Sequence, residues 1–265
     1  MKLHRRHNMT FSPIALMLIL AVGCSSTKQS SHAEHTQPEP AIPYTHVWSA
    51  DRGVDLFSRG AELVRGTYEA GRYTRYVGVD RSYPGYNRAV GAPVSWHNED
   101  KSERLVWSEI NDPANPGRWT FYNYITNFSA SETQISADVC SYVIPSAAGK
   151  PDSPWVLDDS TQIQLTNTGK TPGPPGIPDG NQPGHATSGH WSPTWNIFGS
   201  WQVTRIKNYV NYANPDACMD WWIQQFPTFT RPPHGKFVTS PPDYQPPIHP
   251  VAVQYPEWIG PSEQR

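Results

Sequence analysis

Apolar residues along this chain recur with two different periods. In "SADRGVDLFSRGAELVRGTYEAGRYTRYVG", Ser49 to Gly78, the residues Val54, Phe57, Ala61, Val64 and Tyr68 return every three to four positions, the spacing of one helix face. Ser49 is a suitable cap and Asp51 suits a first turn. The spacing predicts one amphipathic helix, weakest at Gly66 and Gly71, whose aromatic stripe packs on a sheet.

From Glu103 the period falls to two. "ERLVWSEI", "GRWTFYNYITNF", "ETQISADVCSYVI", "STQIQLTN" and "GSWQVTRIKNYVNY" are rich in β-branched and aromatic residues, with turn-forming residues between them. They predict strands of an antiparallel sheet, with a hairpin turn at Phe128 to Ser131. In the third run, Asp138, Cys140 and Tyr142 share one face, opposite Ile135, Ala137, Val139 and Val143. A Pro/Gly-rich loop at 169–197 separates the last two runs, and a Pro-rich tail with pairs at 232, 241 and 246 follows, suited to extended chain. The expected architecture is α+β: an N-terminal helix packed on a curved antiparallel sheet in one domain, 49–222, with the tail at 223–265.

The first residues change where this domain is expected to be. Lys2, Arg5 and Arg6 precede an apolar run from Ile14 to Val22, too short for a lasting membrane span and laid out as a secretory signal. "LAVGC" resembles the lipobox of bacterial lipoproteins. That resemblance implies cleavage of 1–23 and lipidation of Cys24, holding the mature chain on the extracytoplasmic face of the cell membrane. Residues 24–48, polar and Pro-containing, then read as a flexible tether. His32, Glu34 and His35 within it are expected to be solvated, so no metal or other cofactor is expected.

In that compartment thiols oxidise, and Cys140 and Cys218 are expected to form a disulfide. Without its signal the chain carries 18 basic against 23 acidic residues, net −5, which argues against a nucleic-acid partner.

Helix, antiparallel strands and a closing "GSWQVTRI" resemble the nuclear-transport-factor-two-like (SnoaL-like) α+β fold, a cystatin-like cone. More narrowly, "ADVCSYV", "AGKP" at Ala148 to Pro151, "GSWQVTRI" and "NPDAC" follow the order seen in mycobacterial-type actinobacterial lipoproteins of that fold. The resemblance implies a concave sheet face that can enclose a pocket. It leaves function open, because such folds serve isomerases, dehydratases and binding modules alike.

An isomerase or dehydratase would need a base held dry beside proton donors. Asp138 is the candidate base, Tyr122 and Tyr124 the candidate donors, and His97 in "VSWHNED" a second candidate. No GxSxG, HExxH, P-loop or GxGxxG motif is present. Eleven Trp and thirteen Tyr serve either a binding groove or the packing of the tail. The expected function is therefore a lipid-anchored, non-catalytic binding or cell-envelope interaction module. Its partners would be the membrane together with an apolar small molecule, a glycan or an envelope protein. The competing expectation is a pocket enzyme using a buried carboxylate.

Overall fold

The computed structural model describes residues 44–91, 118–146, 155–174, 176, 190–209 and 213–260, all within the unit Pro40–Arg265. Strand β1 (Tyr44–Ala50) comes first, then helices α1 (Arg59–Val77) and α2 (Tyr86–Val90). Strands β2 (Trp119–Ala130), β3 (Gln134–Pro145), β4 (Val156–Leu157), β5 (Asp159–Asn167) and β6 (Trp201–Asn208) follow, then helix α3 (Asp216–Gln225) and strand β7 (Val238–Thr239). Five strands form one sheet in the order β1-β2-β3-β5-β6, while β4 and β7 pair separately. β2, β3, β5 and β6 are antiparallel, and β1 lies parallel to β2. The fold class is α+β with a mostly antiparallel sheet.

The four expected strands that fall on described residues are the four antiparallel ones. "ERLVWSEI" and His97 lie outside the described residues, as do Cys24 and the signal.

The first described element is a strand, not a helix. Tyr44, His46 and Trp48 are buried in alternation with half-buried Thr45 and Val47, the two-residue rhythm of a strand. The expected tether therefore gives way to the sheet at Tyr44. Ser49 does not cap a helix; Ser58 does, its Oγ accepting from the Ala61 N–H at 3.3 Å. Asp51 leaves the helix as well, and its carboxylate accepts from the Tyr124 and Thr126 hydroxyls at 2.5 Å each. The helix runs unbroken through Gly66 and Gly71. At Gly66 a Cβ would sit 2.1 Å from Ile197 Cδ1, so the bare backbone is what lets that segment approach.

The sheet is covered on both faces. On one, Leu63, Val64 and Tyr68 of α1 join a core with Ile125, Val139, Ile163 and Val203. On the other, Cys140 and Tyr142 pack against Met219, Trp221 and Trp222 of α3. The Cys140–Cys218 disulfide fastens α3 there. The central strand β3 is accordingly buried over most of its length.

The C-terminal segment packs back onto the sheet through its aromatic residues. α3 itself runs through to Gln225, and Phe229, Val238 and Trp258 are buried. The Trp48 N–H donates to the Tyr255 carbonyl at 2.8 Å, and the Tyr255 N–H to the His46 carbonyl at 2.9 Å. These bonds occupy the free edge of β1, which would otherwise invite pairing with another chain.

Candidate functional site

Helix α1 is buried all round from Gly60 to Gly71, so its charged residues Glu62, Arg65 and Glu69 are interior. Glu69 Oε1 accepts from Trp48 Nε1 at 2.7 Å. Its Oε2 accepts from the Tyr83 hydroxyl at 2.8 Å, Trp258 Nε1 at 2.7 Å and Gln254 Nε2 at 3.2 Å. Burial pushes the Glu69 carboxyl up to about 7, against the opposing pull of Arg65 and these donors. The Arg65 guanidinium lies over the Trp258 ring, 4.6 Å from its centroid, while its Nε and Nη1 have no hydrogen-bond partner among the described residues. Beside it is a cavity of about 10 Å³, at the threshold for admitting a single water, touched by Glu62, Gly176, Trp195 and Trp258.

A second polar cluster lies between α1 and the sheet. Ser141 Oγ donates to Asn123 Oδ1 at 3.1 Å, and Asn123 Nδ2 lies 3.1 Å from His46 Nδ1. Burial, reinforced by the Arg72 charge, pushes the His46 imidazole well below its usual range, so it is neutral. With the Asn123 amide donating to Nδ1, the His46 proton sits on Nε2, which has no partner among the described residues. Arg72 donates to the Tyr68 hydroxyl at 2.6 Å and pairs with Asp159. His46, Tyr68 and Trp48 pack ring against ring here, filling the space an open pocket would need.

Of the residues singled out as catalytic candidates, Asp138, Tyr122 and Tyr124 lie on the opposite face of the sheet. Asp138 is buried, with Oδ2 accepting from Asn127 Nδ2 at 2.8 Å and Oδ1 from the Tyr209 hydroxyl at 2.7 Å. Both oxygens are thereby engaged by neighbouring side chains. Tyr122 stacks on Tyr142 at 5.0 Å, and Tyr124 on Trp221 at 5.1 Å while its hydroxyl serves Asp51. The structure does not bring Asp138, Tyr122 and Tyr124 into one constellation. No group of three His, Cys, Asp or Glu side chains among the described residues is placed to hold a metal. No helix among them is long and apolar enough to cross a membrane.

Where α3 does not reach, this same face carries a groove of about 170 Å³ across β2, β3, β5 and β6. Ser129, Gln134, Ser136, Gln164, Thr166 and Thr204 supply its polar lining, over Ile135 and Leu165. No family model, curated protein or solved structure matches the chain. The assignment of a role therefore rests on this geometry.

Glu69 and Arg65 escaped the sequence reading because Glu62, Arg65 and Glu69 are spaced as neighbours on a helix surface, the pattern of a solvated charged stripe. Trp258, distant in sequence, covers that stripe. The groove was invisible for another reason: alternating Ser, Thr and Gln on strands is the ordinary signature of a wet sheet face.

Proposed function

We propose that this chain is a lipid-anchored, extracytoplasmic binding module rather than an enzyme. The single observation that carries the reading is the contrast between its two polar regions. The buried carboxylate that an isomerase would need is enclosed: Glu69 is saturated by four donors, two of them brought by the C-terminal segment. The larger of the two concavities described above is instead a groove of uncharged hydrogen-bonding side chains, suited to holding a molecule and lacking an acid or base in its lining. The Cys140–Cys218 disulfide supports the oxidising compartment in which a lipoprotein matures. Helix α1 packed across β2, β3 and β5, with Trp201 opening the last antiparallel strand, supports a cone of the nuclear-transport-factor-two-like kind, to which β1 adds a parallel edge.

Fractionation tests the anchor. Wild-type protein should partition with membranes and carry a lipid on its N-terminal cysteine by intact mass, while Cys24→Ala should abolish both. Membrane association unchanged by Cys24→Ala sinks the lipoprotein reading. For the binding role, the full chain should retain material from isolated cell envelopes in a pull-down; retention of none would remove that half of the proposal.

A further inference from the structure

The groove across β2, β3, β5 and β6 is a built feature of the sheet. Two register shifts frame it, one in the β2–β3 ladder between Thr126 and Ser129, the other in the β5–β6 ladder between Gln164 and Leu165. The first contains Asn127 at φ +50°, a left-handed conformation that Asn tolerates better than other side chains do. Bulges bend a strand and re-aim its side chains, and they concentrate beside binding sites. Here they flank a concavity in a ladder that is otherwise regular.

The lining is chemically uniform. Along the β3–β5 ladder Gln134 faces Thr166 and Ser136 faces Gln164, and Ser129 of β2 faces Ser136. Two adjacent rows of carboxamides and hydroxyls result, with directly opposed residues on the order of 5 Å apart at Cβ. Thr204 Oγ1 is bonded to the Gln164 carbonyl at 3.2 Å. The side chains of Ser129, Gln134, Ser136, Gln164 and Thr166 make no hydrogen bond to other described residues, so their donors and acceptors face outward together. No side chain in the lining is charged. The neighbouring carboxylate, Asp138, is spent on Asn127 and Tyr209. The volume corresponds to about six waters at ~30 Å³ each, room for a compact ring rather than a helix.

We propose that this groove binds a neutral, hydroxyl-rich ligand of the glycan class. Hydroxyls and primary amides each donate and accept, which matches the mixed donor and acceptor character of a sugar's hydroxyl groups. An anionic ligand would find no cation in the lining, Arg205 opposite Gln164 lying outside it, and an apolar one would strip water from five unpaired polar side chains without replacing their bonds. The inference rests on the binding-module reading and gives that module its ligand chemistry.

Titration calorimetry of the purified full chain with cellohexaose, a mannohexaose, a galactohexaose and hexagalacturonate tests it. At least one neutral hexasaccharide should bind. Gln164→Ala and Ser136→Ala should each weaken it by about tenfold, the loss of roughly one hydrogen bond, and leave the melting temperature unchanged as expected for surface positions. Binding of hexagalacturonate as tight as the best neutral sugar, binding indifferent to both substitutions, or no binding by any neutral sugar overturns the proposal. The envelope pull-down separates this failure from failure of the parent reading. Envelope material retained equally by wild type and by Gln164→Ala sinks the groove but spares the module, whereas no retention sinks both.

Discussion

Trp258 donates its indole N–H to the carboxylate of Glu69, 189 positions earlier in the chain, at 2.7 Å. That bond joins the C-terminal segment to the middle of α1 and closes the helix face that composition would leave wet. Trp258→Ala should therefore destabilise the fold by about 3–5 kcal/mol, a loss typical of a buried aromatic. Trp258→Phe, which keeps much of the ring but not the donor, should cost about 1–3 kcal/mol. Urea denaturation of both variants checks the order; a Trp258→Phe variant as stable as wild type would mean that the bond to Glu69 contributes nothing.

Glu69 predicts a pH dependence whose sign is opposite to that of a paired surface carboxylate. Its folded value, about 7, lies above the ordinary 4.5, so the folded state holds the proton more tightly than the unfolded state does. The stabilisation is complete below about 4.5 and is lost as pH rises through 7, by roughly 3 kcal/mol across that window. Arg65 from α1, Trp48 from β1, Tyr83, and Gln254 and Trp258 of the C-terminal segment face the carboxylate, and Arg65 is the only permanent charge among them. Glu69→Gln should flatten this part of the stability profile between pH 5 and 8 in urea titrations. A Glu69→Gln profile parallel to wild type would assign the effect elsewhere.

Reduction of Cys140–Cys218 opens a loop of 78 residues. The chain-entropy estimate for that length is about 4.5 kcal/mol, an upper figure. Paired Cys140→Ser and Cys218→Ser variants should melt well below wild type, and the oxidised protein should gain two hydrogens in mass only after reduction. Loss of order should begin at α3, observable as faster amide exchange in Asp216–Gln225 than in α1.

Asp138→Ala should lower stability by about 1–3 kcal/mol, because it leaves the Asn127 amide and the Tyr209 hydroxyl without their acceptor. Tyr209→Phe should cost less. Additive losses in the double variant would show that the two groups do not act through one bond.

How far the fold could be read from the chain depended on whether a pattern was local. β2, β3, β5 and β6 were evident because alternation and flanking turns are properties of ten or so consecutive residues. β1 was missed because "YTHVWSA" carries the same alternation in a shorter run that adjoins a polar stretch, and Ser49 and Asp51 offered a false helix start. Ser58 with Glu62 in the first turn was the better start signal, five positions before the buried pair Leu63–Val64. The candidate base failed on its partners: period two placed Asp138 on the right face, but nothing near it in sequence identified Tyr209, 71 positions away, as the group that occupies its oxygen.

The pairing of Tyr255 with β1 and of Trp258 with Glu69 also sets a clock. A chain being synthesised cannot finish its interior until residues beyond 250 have emerged, so the incomplete polypeptide keeps an open sheet edge and an unsheltered carboxylate throughout most of translation.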